Sequence, residues 1–178
     1  MIYTIGHGNR PIGELLALLK DAGIECLVDV RAYPASRRHP QFARAALEAS
    51  LAAVGIRYVW EGKALGGRRK PAKDTPHVAL KNPGFRAYAD YMMTREFRAG
   101  LARLIDLGRE APAAIMCAER LPWQCHRWLI SDSLVAGGEG VVHLVNPGSE
   151  QLHILSAAVR LRNGNLIYDG EMQGELKL

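Results

Sequence analysis

Cys26-Leu-Val-Asp-Val30 is a continuous apolar run with a single acid near its end. A strand with one wet face alternates apolar and polar residues; a strand covered on both faces reads as an unbroken apolar stretch, the mark of a parallel sheet. Upstream, Ile2-Tyr-Thr-Ile-Gly6 reads as a first strand, stopped by Gly6-His-Gly-Asn9. Pro11 then opens a helix striped by Leu15, Leu16, Leu18 and Leu19, and Gly23 closes it. Downstream, residues 32–40 form a loop, Ala43 to Val54 is helical up to Gly55, and Ile56-Arg-Tyr-Val-Trp60 alternates as a third strand. Residues 61–83, with Gly66-Gly67 and three prolines, read as a long loop. Phe85 to Arg109 is helical, divisible near Thr94, with Tyr88, Tyr91, Met92, Phe97, Leu101 and Leu104 as core contacts. Ala113-Ala-Ile-Met-Cys117 is a second buried strand, Cys125 to Ala136 a helix, and Val141-Val-His-Leu-Val145 another strand. A short helix from about His153 to Leu161, an Asn163-Gly164 turn and a strand from Leu166 to Tyr168 complete the reading. Strands alternating with helices predict a three-layer, Rossmann-like or rhodanese-like α/β fold, its mostly parallel sheet carrying helices on both faces. Ligands of such sheets gather at the carboxyl ends of the strands.

The chain has 178 residues, 48% of them hydrophobic and 23% charged, which suits one globular domain over 1–178. No stretch approaches the roughly 20 apolar residues of a membrane helix, so no membrane partner is expected. Met1 leads directly into Ile2–Ile5 without the basic, apolar and cleavage regions of a signal peptide, so a cytoplasmic location is expected. Three cysteines, an odd and small number, argue for reduced thiols, and Cys26 belongs to the core run. No signal sets the oligomeric state, and no cofactor motif is present. The net charge of +5 is uneven: residues 31–86 hold twelve Arg or Lys against three acids. Such a segment draws phosphates, nucleic acids or other anions, or it is simply a solvated basic surface.

Three groups of residues carry chemistry. The first is Cys117-Ala-Glu-Arg-Leu-Pro-Trp-Gln-Cys-His-Arg127, which leaves a hydrophobic strand and enters a helix. Free N–H groups and the dipole at a helix start favour an anion, and Arg127 adds a fork of donors. Nearby cations favour a thiolate, so Cys117 and Cys125 are candidate nucleophiles and Glu119 and His126 candidate proton carriers. Both cysteines also read as inert. Cys117, Glu119, Cys125 and His126 are zinc-ligand types, but their spacing matches no standard zinc signature, and no metal is expected. The second group is Asp29-Val-Arg31 with Ser36: the two charged residues point the same way from a strand, and either orient the next loop or hold a substrate anion. The third is Gly6-His-Gly8, where glycines admit close approach of a ligand and His7 faces a pocket. His143 and His153 read as structural.

With these pieces in order, the chain resembles the domain of unknown function 488 family. The matching pieces are Thr-Ile-Gly-His (4–7), Asp-Val-Arg (29–31) with Pro34 and Ser36, Pro40-Gln-Phe42, Leu-Gly-Gly (65–67), Tyr88 to Met92, Met-Cys-Ala-Glu (116–119) and Cys-His-Arg (125–127). Gly66, Gly67 and Tyr88 join the candidate substrate-binding residues on this resemblance. A weaker, fold-level similarity is to rhodanese-type sulfurtransferases and cysteine phosphatases, whose cradle runs from Cys to Arg over a shorter loop than here, where Cys117 and Arg127 are ten apart. The leading expectation is a small enzyme, a cysteine-dependent transferase or hydrolase, acting on a phosphorylated, nucleotide-like or sulfur-containing anion. A nucleic-acid-binding or -modifying protein using residues 31–86, with Tyr33, Tyr58 and Trp60 for stacking, is the alternative. A non-catalytic ligand sensor is the third.

Overall fold

The computed structural model describes residues 1–170. Its strands are β1 (Ile2–Gly6), β2 (Cys26–Asp29), β3 (Arg57–Trp60), β4 (Ala113–Cys117), β5 (Val141–Asn146), β6 (Ser149–Leu152), β7 (Val159–Arg162) and β8 (Asn165–Tyr168). Its helices are α1 (Ile12–Asp21), α2 (Arg44–Ala52), α3 (Gly62–Leu65), α4 (Pro83–Met92), α5 (Arg95–Glu110) and α6 (Arg127–Ala136). The main sheet runs β3-β2-β4-β1-β5-β6, parallel through its first five strands and closed by antiparallel β6. β2 and β4, the two unbroken apolar runs, are buried along their whole length near the centre. The fold is α/β, a mostly parallel sheet between two helical layers.

Strand alternation divides the core in two. Leu27, Ala114, Met116 and Ile5 pack with Leu15, Leu18 and Leu19 of α1 and with Leu47 and Leu51 of α2. Cys26, Val28, Ile115 and Cys117 face the other way, against Leu65, Tyr88, Phe97, Leu104, Leu129 and Ile130 of the remaining helices. Asp29 therefore points to the α1–α2 side and Cys117 to the α4–α6 side, which later separates two parts of the site.

Thr94 splits the long helical pattern: its Oγ1 accepts from Phe97 N and caps α5. Three expectations change. The 61–83 segment is not wholly loop, because Ala64 and Leu65 are buried and wind a single helical turn, α3. The helix expected from Cys125 begins at Arg127, after a 3₁₀ turn at Pro122–Gln124. No helix forms at His153–Leu161: His153 N donates to Val141 O as the β6 edge runs out, and Val159–Arg162 pairs with Asn165–Tyr168. Asn163 and Gly164, at φ of 50° and 75°, make the tight turn that draws β7 into this hairpin. Among the described residues, no helix is long and apolar enough to cross a membrane.

Candidate functional site

β1 and β4 are neighbours, yet the chain leaving β1 enters α1 on one face and the chain leaving β4 enters α6 on the other. Such a divergence opens a crevice at the carboxyl edge of a parallel sheet. Two cavities lie there. One, of about 300 Å³, is floored by Cys117, Cys125 and His126 and walled by Glu119, Gly67 and Phe85. The other, of about 420 Å³, is lined by His7, Ser36, His39 and Arg120. They share Arg31, Tyr33, Arg68, Ala118 and Glu119.

In the first cavity Cys117 ends β4, and its thiol donates to Glu119 Oε2 at 3.0 Å. His126 Nδ1 lies 3.7 Å from Cys117 Sγ and 3.9 Å from Cys125 Sγ. The other ring nitrogen, Nε2, donates to the Val30 carbonyl at 3.2 Å and so fixes the ring. Tyr88 stands edge-on behind that ring, 5.0 Å between centroids, and gives its hydroxyl proton to Leu65 O. Gly67 covers one face of the same ring, where a β-carbon would meet Nδ1 at 2.5 Å. Gly66 allows α3 to close against Ala32, whose Cα would lie 2.8 Å from a side chain there.

The two thiols are driven apart. Donation from Cys125, then the charge and hydrogen bonds of His126 and Glu119, pull Cys117 well below the ordinary cysteine value despite burial. Burial and the Cys117 sulfur push Cys125 well above it. Burial, and then the Cys117 charge, raise the Glu119 carboxyl. Burial alone would lower His126, but Cys117 and Glu119 outweigh it and the net shift is upward. Two thiols driven in opposite directions, a carboxyl whose pKa is raised and an imidazole thus face a single cavity. Such a set suits proton transfer and either sulfur nucleophilicity or metal ligation.

Asp29 orients the second cavity. It is fully buried and takes Arg31 Nε at 2.9 Å and Nη2 at 2.6 Å, with Tyr58 donating its hydroxyl at 2.8 Å. The Asp29–Arg31 pair therefore orients the strand end, while Arg31 still borders both cavities. Arg31 Nη1 reaches His7 Nε2 at 3.3 Å, and His7 Nδ1 donates to Gly8 O at 2.9 Å. Burial first, and Arg31 in addition, keep His7 below the ordinary histidine value and hence neutral. Ser36 Oγ accepts from His39 N, fixing the loop around the cavity.

Arg127 is not where an anion-binding arginine would stand. It is 1% exposed, and its guanidinium donates to the carbonyls of Ile5, Glu119 and Arg120 at 2.8–2.9 Å. The start of α6 is closed as well: Trp128 N, Leu129 N and Ile130 N bond the carbonyls of Cys125 and His126, and Arg127 N donates to Cys125 Sγ. The exposed arginines that line the cavities are instead Arg68 and Arg120, the latter donating to Asn146 Oδ1 at 2.6 Å and lying 3.9 Å from Glu14. Asn82, Phe85 and Gln124 also line the first cavity without having been singled out in the sequence. Asn82-Pro83 is a helix-start signal, the Asn82 side chain accepting from Gly84 N and Phe85 N, and it alone could have placed Phe85.

Cys117, Cys125 and His126 offer ligand atoms that all lie within 4.8 Å of one another, the one such grouping among the described residues. The family model described as Domain of unknown function DUF488 matches residues 11–134, which takes in β2, β3, β4 and most of α6 and leaves out β1 with His7. No curated protein and no solved structure matches the chain.

Proposed function

The chain belongs to the DUF488 family, and we propose that it is an enzyme acting on a small phosphorylated or nucleotide-like anion bound across the two cavities. The observation that carries this reading is their shared wall. A basic cavity with Arg68 and Arg120 opens, past Arg31 and Glu119, onto one floored by sulfur and imidazole. A substrate anion in the first-named compartment brings its remaining part over Cys117, with Glu119 at hand to pass a proton. Tyr33, 69% exposed at the mouth with the Arg68 guanidinium 5.5 Å from its ring centre, offers a face on which a planar base stacks.

Calorimetric titration with nucleoside monophosphates and sugar phosphates tests this. The Arg68→Ala/Arg120→Ala double variant is expected to weaken binding by at least about tenfold. Glu119→Gln is expected to bind normally and to lose turnover by about 10²-fold or more, the usual weight of a proton-transfer group. A panel without a ligand, or ligands indifferent to the double variant, would contradict the assignment. The exposed Tyr33–Arg68 pair also suits single-stranded nucleic acid. Affinity for oligonucleotides that falls with salt and exceeds that for monophosphates would select this second reading.

A further inference from the structure

We propose that Cys117, Cys125 and His126 bind one soft divalent cation, zinc in preference, leaving a fourth coordination position open to the cavity beside Glu119. The inference deepens the reading above and rests on it for its catalytic meaning, while the ion site itself stands on its own geometry.

A tetrahedral zinc ion with Zn–S of about 2.3 Å and Zn–N of about 2.0 Å holds neighbouring sulfur and nitrogen ligands about 3.5 Å apart. His126 Nδ1 lies 3.7 Å and 3.9 Å from the two sulfurs. These separations exceed that spacing by only a few tenths of an ångström, and all three ligand atoms lie within 4.8 Å of one another. The ring is oriented as a ligand ring should be. A metal-bound histidine ordinarily donates its other N–H to a carbonyl or carboxylate, which fixes the tautomer and aims the free lone pair. Here Nε2 is held by the Val30 carbonyl at 3.2 Å, so Nδ1 is the atom turned to the sulfurs. Cys125 Sγ, in turn, accepts the Arg127 backbone N–H at 3.4 Å, a contact that holds the sulfur in position.

The segment that carries these donors is tied down by hydrogen bonds from one buried side chain. Arg127 ties the Glu119 and Arg120 carbonyls to that of Ile5, anchoring the 118–126 segment on β1. Ligand spacing is thus set by the end of β4 and by this clamp, which is why it matches no zinc-knuckle pattern. Glu119 lies outside the three-atom grouping. Three protein donors, an open fourth position and a non-ligating carboxylate are the arrangement of catalytic zinc rather than of a closed structural site. Two sulfurs and one imidazole favour zinc-class ions over magnesium or calcium. On coordination the ion displaces the protons still held by the three donors, and no oxidation or reduction is involved. Cys117 and Cys125 then act as ligands, and the water at the open position is the group that Glu119 serves.

Metal content and cobalt spectroscopy on the full chain test the site. Protein produced with zinc and freed of loose metal is expected to retain about one ion per chain, and cobalt loading to give thiolate-to-metal charge transfer with tetrahedral d–d bands. Cys125→Ser and Cys117→Ser are each expected to weaken zinc binding by at least about tenfold. Alkylation of the unsubstituted protein guards against misfolded variants: zinc should protect Cys117 and Cys125 and leave the reactivity of Cys26 unchanged. Lack of retained zinc together with no protection, or a Cys117–Cys125 disulfide in freshly prepared protein, would overturn the proposal. Phosphate-ligand binding measured in the same metal-free samples separates the two readings. Ligand binding that depends on Arg68 and Arg120 without any zinc site leaves the function standing alone, and the converse leaves only the ion site.

Discussion

Gly67 sits against the His126 ring with no room for a methyl group, its β-carbon falling 2.5 Å from Nδ1 and 2.8 Å from Cγ. Gly67→Ala must push the ring or the loop away, whereas Gly13, on the outer side of α1, has no heavy atom within 4 Å of such a carbon. Thermal melts and ligand titrations on both variants should diverge. Gly13→Ala is expected to raise stability by about 0.5–1 kcal/mol through helix propensity and leave binding alone. Gly67→Ala is expected to keep most of the stability and to lose phosphate-ligand or zinc binding. The gathering of His7, Arg31, Cys117, Glu119, Cys125 and His126 was legible because each follows or closes an apolar strand, and strand ends of a parallel sheet converge. The real place of Arg127 was not. Its partners are three backbone carbonyls, and backbone oxygens from distant segments leave no mark in a list of side chains.

At the scale of elements, the loop between β4 and α6 is the part whose conformation the site depends on. A buried guanidinium holds it to β1, and removing that group leaves three carbonyls without donors. Arg127→Met is therefore expected to destabilise the fold by about 3 kcal/mol, read as a lower denaturant midpoint at unchanged slope. A loss below about 0.5 kcal/mol would show that the clamp is dispensable. Elements with strong periodicity or punctuation were readable: β2 and β4 from unbroken apolar runs, the α4–α5 break from Thr94, the hairpin turn from Asn163-Gly164. The stretch from His153 to Leu161 misled because its apolar residues suit a short helix, while the fate of its last part is decided by pairing across the β7–β8 turn. α3 escaped notice since a single turn is shorter than any helical period can register.

Across the whole molecule, one buried polar chain joins separate elements. Thr4 of β1 hydrogen-bonds His143 of β5 at 2.7 Å, His143 meets His153 at 2.9 Å, and His153 reaches Asp132 of α6 at 3.0 Å. Tyr168 of β8 donates to the same carboxylate at 2.9 Å. Burial chiefly, with His153 and Arg127 adding to it, lowers the pKa of His143 from 6.5 to about 3. The unfolded chain takes up a proton in that interval that the native one refuses. Stability is then fully present above pH 6.5 and is lost as pH falls toward 3. His7 and His77, also lowered, act with the same sign. The fall of melting temperature with acid is expected to be shallower in His143→Gln, and an unchanged slope would show that this chain is not what acid attacks. The parallel core of the architecture followed from alternation of strand and helix, but the split of the site into a basic and a sulfur-lined cavity did not. That division arises from which face each strand-end residue occupies, a property of register and crossover.

The claim on which the rest depends is that a phosphorylated ligand lies across both cavities, and amide chemical-shift mapping with a nucleoside monophosphate addresses it directly. Shifts are expected together at Gly8, residues 31–36, Gly67, Arg68 and residues 118–120. Shifts absent, or confined to the basic stretch 69–81 away from Glu119, would contradict it.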